Sequence, residues 1–240
     1  MNYDISSKFE INIATGTGQD VTDMRDAPAF ALKNRCAALV VKPEYAAAAI
    51  ASRASMSHIP PFRIIVKIDD FKNFGLDKLK MIPRDSFGAD GFDINFTPDR
   101  SQKELENEIK SIKEFVSAMN QLAELRFSID SRVHPMDYVK VCAEAVKQQP
   151  VMVRLGTDTE KRHYTDEMLK ALRDVAKPRI KLSGEIDLKT IEGHKVDRFD
   201  VSLAQARLIL RQADNRKAKE LGPPVAEKTS DSTEVEETVE

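Results

Sequence analysis

Residues 88–95 read Gly88-Ala89-Asp90-Gly91-Phe92-Asp93-Ile94-Asn95. Successive side chains of a strand point to opposite faces, so Asp93 and Asn95 share one face of this run while Phe92 and Ile94 share the other. Short runs of strand character recur along the chain, at 9–14, 37–41, 62–68, 91–96, 125–129, 151–155, 179–182 and 198–202. They number eight.

The segments between them read as helices. In 101–123, Leu105, Ile109, Ile112, Val116, Met119 and Leu122 recur at spacings of three and four, giving one apolar and one charged face. Ser101 with Glu104 fits a capping box, a start signal for that helix. Pro43 suits the first turn of an alanine-rich helix over 44–56, Pro135 opens a second over 135–148, and Thr165 opens a third that Pro178 closes. A strand followed by a helix, repeated eight times, predicts an α/β fold of the (β/α)8 TIM-barrel type, with an open doubly wound sheet as the structural alternative. Thr15-Gly16-Thr17-Gly18 lacks the third glycine of a dinucleotide-binding turn and reads as a loop.

The 240-residue length suits one such barrel plus a tail. Residues 1–212 form the barrel in this reading, 213–226 a basic helix extension (Arg216, Lys217, Lys219) and linker, and 227–240 a Ser/Thr/Glu-rich acidic tail without apolar period, expected to be disordered. A formal net charge of −2 gives no reason to expect a nucleic-acid partner. With no signal segment and no bilayer-length apolar run, the expectation is a cytoplasmic protein away from membranes. Cys36 and Cys142 sit in unrelated patterns and read as reduced cysteines. The histidines at 58, 134, 163 and 194 have no metal-ligand spacing with them. Neither a metal nor another cofactor is expected.

The chemistry of such a barrel belongs at the C-terminal ends of its strands, on inward-facing residues, and those positions are unusually polar here. The fifth run is Leu125-Arg126-Phe127-Ser128-Ile129-Asp130; Met152 and Arg154 share a face of the sixth, Lys181 and Ser183 one of the seventh. Charges inside a barrel cost several kcal/mol each unless paired. Asp93, Arg126, Arg154 and Lys181 together therefore point to a site.

The order of these runs over 9–210 resembles that of the deoxyribose-phosphate aldolases, lyases that work through a lysine Schiff base. Ala37-Ala38-Leu39-Val40-Val41-Lys42-Pro43 resembles the family's second strand, Gly88-Ala89-Asp90-Gly91-Phe92-Asp93 its fourth and Lys181-Leu182-Ser183-Gly184 its seventh. The resemblance puts Asp93 on a proton-relaying aspartate, Lys181 on the second active-site lysine, and Asn12 where strand one usually carries an aspartate. Arg154, in Val153-Arg154-Leu155-Gly156-Thr157, falls on the Schiff-base lysine and Arg126 on another lysine. A guanidinium stays protonated and cannot attack a carbonyl as an amine. Glu185, in place of a second glycine, and Ser202-Leu203-Ala204 both weaken the family's phosphate site, since a carboxylate repels phosphate.

The reading that follows is a divergent aldolase-like lyase for a small carbonyl or sugar-phosphate-like compound. Lys181 is its remaining amine, with a pKa that burial is expected to lower, and Asp93 its acid/base partner. Arg126, Arg154, Asn12, Asn95, Asp130, Ser183, Gly184 and Ser202 are the expected substrate contacts. Two alternatives stay open: a lapsed barrel serving in binding or assembly, and an enzyme whose Arg126 and Arg154 clamp an anion without covalent catalysis. A small-molecule ligand is the expected partner, and homo-oligomer formation is compatible with the sequence.

Overall fold

The computed structural model describes residues 3–14, 20–56, 61–69, 89–96, 101–119, 124–129, 152–155, 166–176 and 179–221. The strands are β1 (Phe9–Asn12), β2 (Ala38–Val41), β3 (Arg63–Ile68), β4 (Gly91–Phe96), β5 (Glu124–Ile129), β6 (Met152–Leu155), β7 (Arg179–Leu182) and β8 (Arg198–Val201). All pair in parallel with their sequence neighbours, and β1 pairs with β8, so the sheet is a closed barrel and the open-sheet alternative falls.

The helices are α1 (Tyr3–Ser6), α2 (Asp20–Asn34), α3 (Ala46–Met56), α4 (Gln102–Met119), α5 (Asp166–Ala176), α6 (Leu188–Gly193) and α7 (Leu203–Leu221). Pro43 begins a short 3-10 turn, Pro43–Tyr45, leading into α3. The capping box at α4 is formed: Ser101 N–H donates to Glu104 Oε2 at 2.8 Å and Glu104 N–H to Ser101 Oγ at 3.3 Å. The 15–18 loop, the proposed 135–148 helix, Cys142, Asp130 and the 227–240 tail lie outside the described residues. Among those described, no helix is long and apolar enough to cross a membrane. The basic extension continues α7 without a break to Leu221, and Ala213 is the last buried side chain among the described residues.

Alternation divides the strand side chains into two populations. Outward residues such as Ile11, Leu39, Ile64, Ile94, Leu182 and Phe199 form one apolar cluster with Ala31, Ala49, Ile112, Leu169 and Ile209 of the helices. Cys36 lies in that layer, where burial pushes its thiol up to about 12. Facing inward, Ala38, Val40 and Ile65 form a small apolar group on β2 and β3. The remaining described inward positions are dominated by charge.

Candidate functional site

Register sets the site. Lys67, Asp93 and Arg126 are consecutive partners across β3, β4 and β5; Arg154 stands beside Lys181 across β6 and β7, and Glu10 beside Asp200 across β1 and β8. Three acids (Glu10, Asp93, Asp200) and four bases (Lys67, Arg126, Arg154, Lys181) therefore share the interior, each at most 5% exposed. Such burial is tolerable only with close compensation.

Lys181 lies at the centre of that compensation. Its Nζ is 2.7 Å from Asp93 Oδ2, 3.0 Å from Glu10 Oε2 and 3.6 Å from Asp200 Oδ2. Burial by itself depresses an ammonium pKa, but the charges of Asp200, Asp93 and Glu10 outweigh it and hold Lys181 above the ordinary lysine value. The shift is thus opposite to the lowering expected from burial alone, because three carboxylates converge on one amine. Asp93 is the mirror case: burial would raise its pKa, yet Lys181, Arg154 and Arg126 hold the carboxyl well below the usual range. Both groups are charged at neutral pH.

The other expected residues extend this network. Arg154 reaches toward two acids, its Nε 3.8 Å from Asp93 Oδ1 and its Nη1 3.7 Å from Asp200 Oδ2. Arg126 donates to Glu10 through Nη1 and to Glu124 Oε1 through Nε at 3.2 Å. Ser183 Oγ donates to Asp200 Oδ2 at 2.8 Å and Asn12 Nδ2 to the same oxygen at 3.2 Å, while Asn12 Oδ1 accepts from Ala14 N–H. Asn95 is half-buried near the end of β4.

Gly184 and Ser202 serve the loop above. Gly184 has a φ of 106°, a conformation L side chains rarely adopt, and its carbonyl accepts from Gln205 Nε2 at 3.3 Å. Ser202 N–H donates to Gln205 Oε1 at 2.9 Å and Gln205 N–H to Ser202 Oγ at 3.1 Å. Ser202 and Gln205 are therefore a capping box for α7, which occupies the backbone N–H of Ser202. Glu185 is exposed.

Glu10, Asp200 and Glu124 complete the network, and Lys67 stands beside Asp93 in register, but none of the four was among the expected site residues. Their signal was present: Phe9-Glu10-Ile11-Asn12 and Arg198-Phe199-Asp200-Val201 show the same polar alternation as Phe92-Asp93-Ile94-Asn95. One oxygen each of Glu10, Asp93 and Asp200 is buried without a hydrogen-bond donor among the described residues.

Eight parallel strands closed around a charged interior define a (β/α)8 barrel. No protein-family model and no curated relative matches the chain. Solved structures do. It is similar to a chain from Coccidioides immitis assigned as a deoxyribose-phosphate aldolase, with a TM-score of 0.66 and 14% identity over 89% of this chain and 87% of that one. A chain from Toxoplasma gondii ME49 with the same assignment gives 0.68 and 11% over 90% and 95%. The 3-keto-L-gulonate-6-phosphate decarboxylase of Vibrio cholerae O1 gives 0.52 and 17% over 87% and 98%. At these identities the likeness establishes a shared barrel fold.

Proposed function

We propose that this chain is a divergent aldolase-like lyase acting on a small, hydroxyl-bearing carbonyl compound, with Lys181 as a fixed ammonium and Asp93 as the carboxylate that positions it. The observation carrying the reading is the 2.7 Å contact of Lys181 with Asp93 inside a barrel whose structural neighbours bear aldolase and decarboxylase names. An ammonium held in place can stabilise the negative charge that develops on a carbonyl oxygen as an adjacent carbon bond breaks. Arg154 supplies a second permanent cation nearby. The oxygens of Glu10, Asp93 and Asp200 that accept no hydrogen bond among the described residues are acceptors suited to substrate hydroxyl groups.

The test is a panel of small hydroxyaldehydes and hydroxyketones, with and without phosphate, followed by NMR for cleavage or condensation products. Wild-type turnover that falls roughly 100-fold or more in Lys181→Met, the scale of losing one transition-state donor, supports the reading. A folded wild type that turns over no compound in the panel overturns it. The complete burial of Lys181 and the Ser202–Gln205 capping box favour a second reading, a lapsed barrel that binds without turnover. Ligand-induced thermal stabilisation without product formation is its signature.

A further inference from the structure

We propose that the mouth of the barrel at the N-terminal ends of the strands, opposite the candidate site, binds a small phosphate-class anion through Arg63, Arg179 and Arg198. The three are the first residues of β3, β7 and β8. Alternation puts them on the inward face with Ile65, Lys181 and Asp200, two residues further along each strand. Ser183, Gly184 and Ser202 follow the other ends of β7 and β8, so this opening is a separate place in the fold. Binding here needs no lyase chemistry.

Charge at this mouth is unbalanced. Glu124, the first residue of β5, pairs with Arg63 through Nη1, with Arg126 at 3.2 Å and with Arg179 at 3.7 Å. Glu10 pairs with Arg126 through Nη1 and with Arg198 at 3.8 Å, and it also lies 3.0 Å from Lys181. Among the described residues, Arg63, Arg126, Arg179 and Arg198 thus share two carboxylates, one of which is drawn toward the candidate site as well. The acids just before β4 and β8 are engaged elsewhere: Asp90 accepts from Ile64 N–H and pairs with Arg53, and Asp197 accepts from Ile180 N–H. The stretches 57–62, 120–123, 147–151 and 177–178, which lead into β3, β5, β6 and β7, contain no Asp or Glu. Guanidiniums stay protonated, so the excess positive charge persists throughout the physiological range.

Exposure decides what that charge can do. The side chains of Arg63, Arg179 and Arg198 are 54%, 38% and 28% exposed, whereas those of Glu124 and Glu10 are 6% and 0% exposed. The solvent-facing groups of this network are therefore its cations, and a dissolved anion can reach them. Burial, joined by the charges of Arg179 and Arg126, holds Arg198 below the ordinary arginine value against the pull of Glu10 and Glu124. An anion between Arg198 and Arg179 would relieve that repulsion. Planar guanidinium forks match the paired oxygens of a phosphate, which favours that class over a halide.

The experiment titrates the full-length chain with pyrophosphate and with inorganic phosphate by calorimetry, in chloride buffer of fixed ionic strength. An arginine-selective dicarbonyl reagent with peptide mapping then locates the site. The expected result is saturable binding, with labelling of Arg179 and Arg198 slowed by the anion and labelling of the exposed Arg25 and Arg216 unchanged. Arg63→Gln leaves Glu124 with Arg126 and Arg179, so circular dichroism should be unchanged while the pyrophosphate Kd rises about tenfold, the scale of one lost charge-assisted bond. Arg198→Gln should weaken binding at least as much. Absence of saturable binding in folded wild type overturns the proposal. So does wild-type affinity in both folded variants. Protection confined to arginines other than these three also overturns it, and protection of Arg154 alone would place the anion at the candidate site instead.

Discussion

Lys181 of β7 donates to Asp93 of β4 at 2.7 Å across the barrel, although 88 residues separate them in the chain. The contact exists because closure of β1 onto β8 turns strand positions distant in sequence into facing walls. It is also shared, because Glu10 and Asp200 approach the same ammonium. Removing any member leaves buried charge behind.

The first prediction is energetic. Lys181→Met leaves Glu10, Asp93 and Asp200 facing one another without their common cation, which should cost about 3–5 kcal/mol in urea unfolding at pH 7. Asp93→Asn should also destabilise, and the double variant should show a coupling of about 0.5–3 kcal/mol. Single variants within about 0.5 kcal/mol of wild type, the scale of a neutral surface change, would mean that the network is not a stability determinant.

A second prediction concerns pH. Asp93 is depressed in the fold, so its stabilisation is full above its unfolded value of about 4 and is lost as pH falls below that value toward the folded one. Lys181 is raised, so its share is full below about 10.4 and is lost as pH climbs through the higher folded value. Stability from this pair should thus be flat from about pH 5 to 10 and fall on both sides. Asp93→Asn should make the acid limb shallower by up to about 1.4 kcal/mol per pH unit, the slope of one proton. Identical acid limbs in urea titrations would contradict the assignment.

Gly91 makes a third prediction. A β-carbon there would run into the backbone carbonyl of Glu124 on β5 and meet its Cβ at 3.0 Å. Backbone in a barrel cannot swing aside, so Gly91→Ala should destabilise by about 1–3 kcal/mol. Because Glu124 Oε1 accepts from Arg126, the same change should loosen the floor of the charged interior. Unchanged thermal unfolding would show that β4 and β5 can separate without cost.

The barrel was legible because each strand run carries its own evidence. Phe92 and Ile94 face the helices and Asp93 faces in, as the alternation of residues 92–94 requires. The partner of Lys181 was legible too, once a closed barrel was assumed. The direction of its pKa was not. Burial of one lysine predicts a lowered value, and the carboxylates of Asp200 and Glu10 join that of Asp93 in reversing the sign. Those two acids lie on β1 and β8, which a closed barrel makes neighbours, but no local pattern places their carboxylates beside the ammonium. Ser202 shows the same limit: its part in a capping box depends on Gln205, three residues on, and Ser-x-x-Gln can be read from the sequence without revealing that the donor is already occupied.

The last prediction tests whether Arg154 alone separates this barrel from imine chemistry on β6. Its guanidinium lies between Asp93 and Asp200, at 3.8 and 3.7 Å, and stays protonated throughout the physiological range. Arg154→Lys keeps a cation toward both acids, so the fold should survive. It also introduces an amine beside Lys181, its register partner on β7, and a neighbouring like charge favours the neutral form of that new amine. The two carboxylates oppose that effect, so the adduct should form slowly and faster as pH rises. Aldehyde and borohydride should then label position 154 in the variant, with peptide mapping to locate the adduct. A folded variant with no label at 154 across pH 6–10 would show that access to β6, as well as the lost lysine, blocks the reaction there.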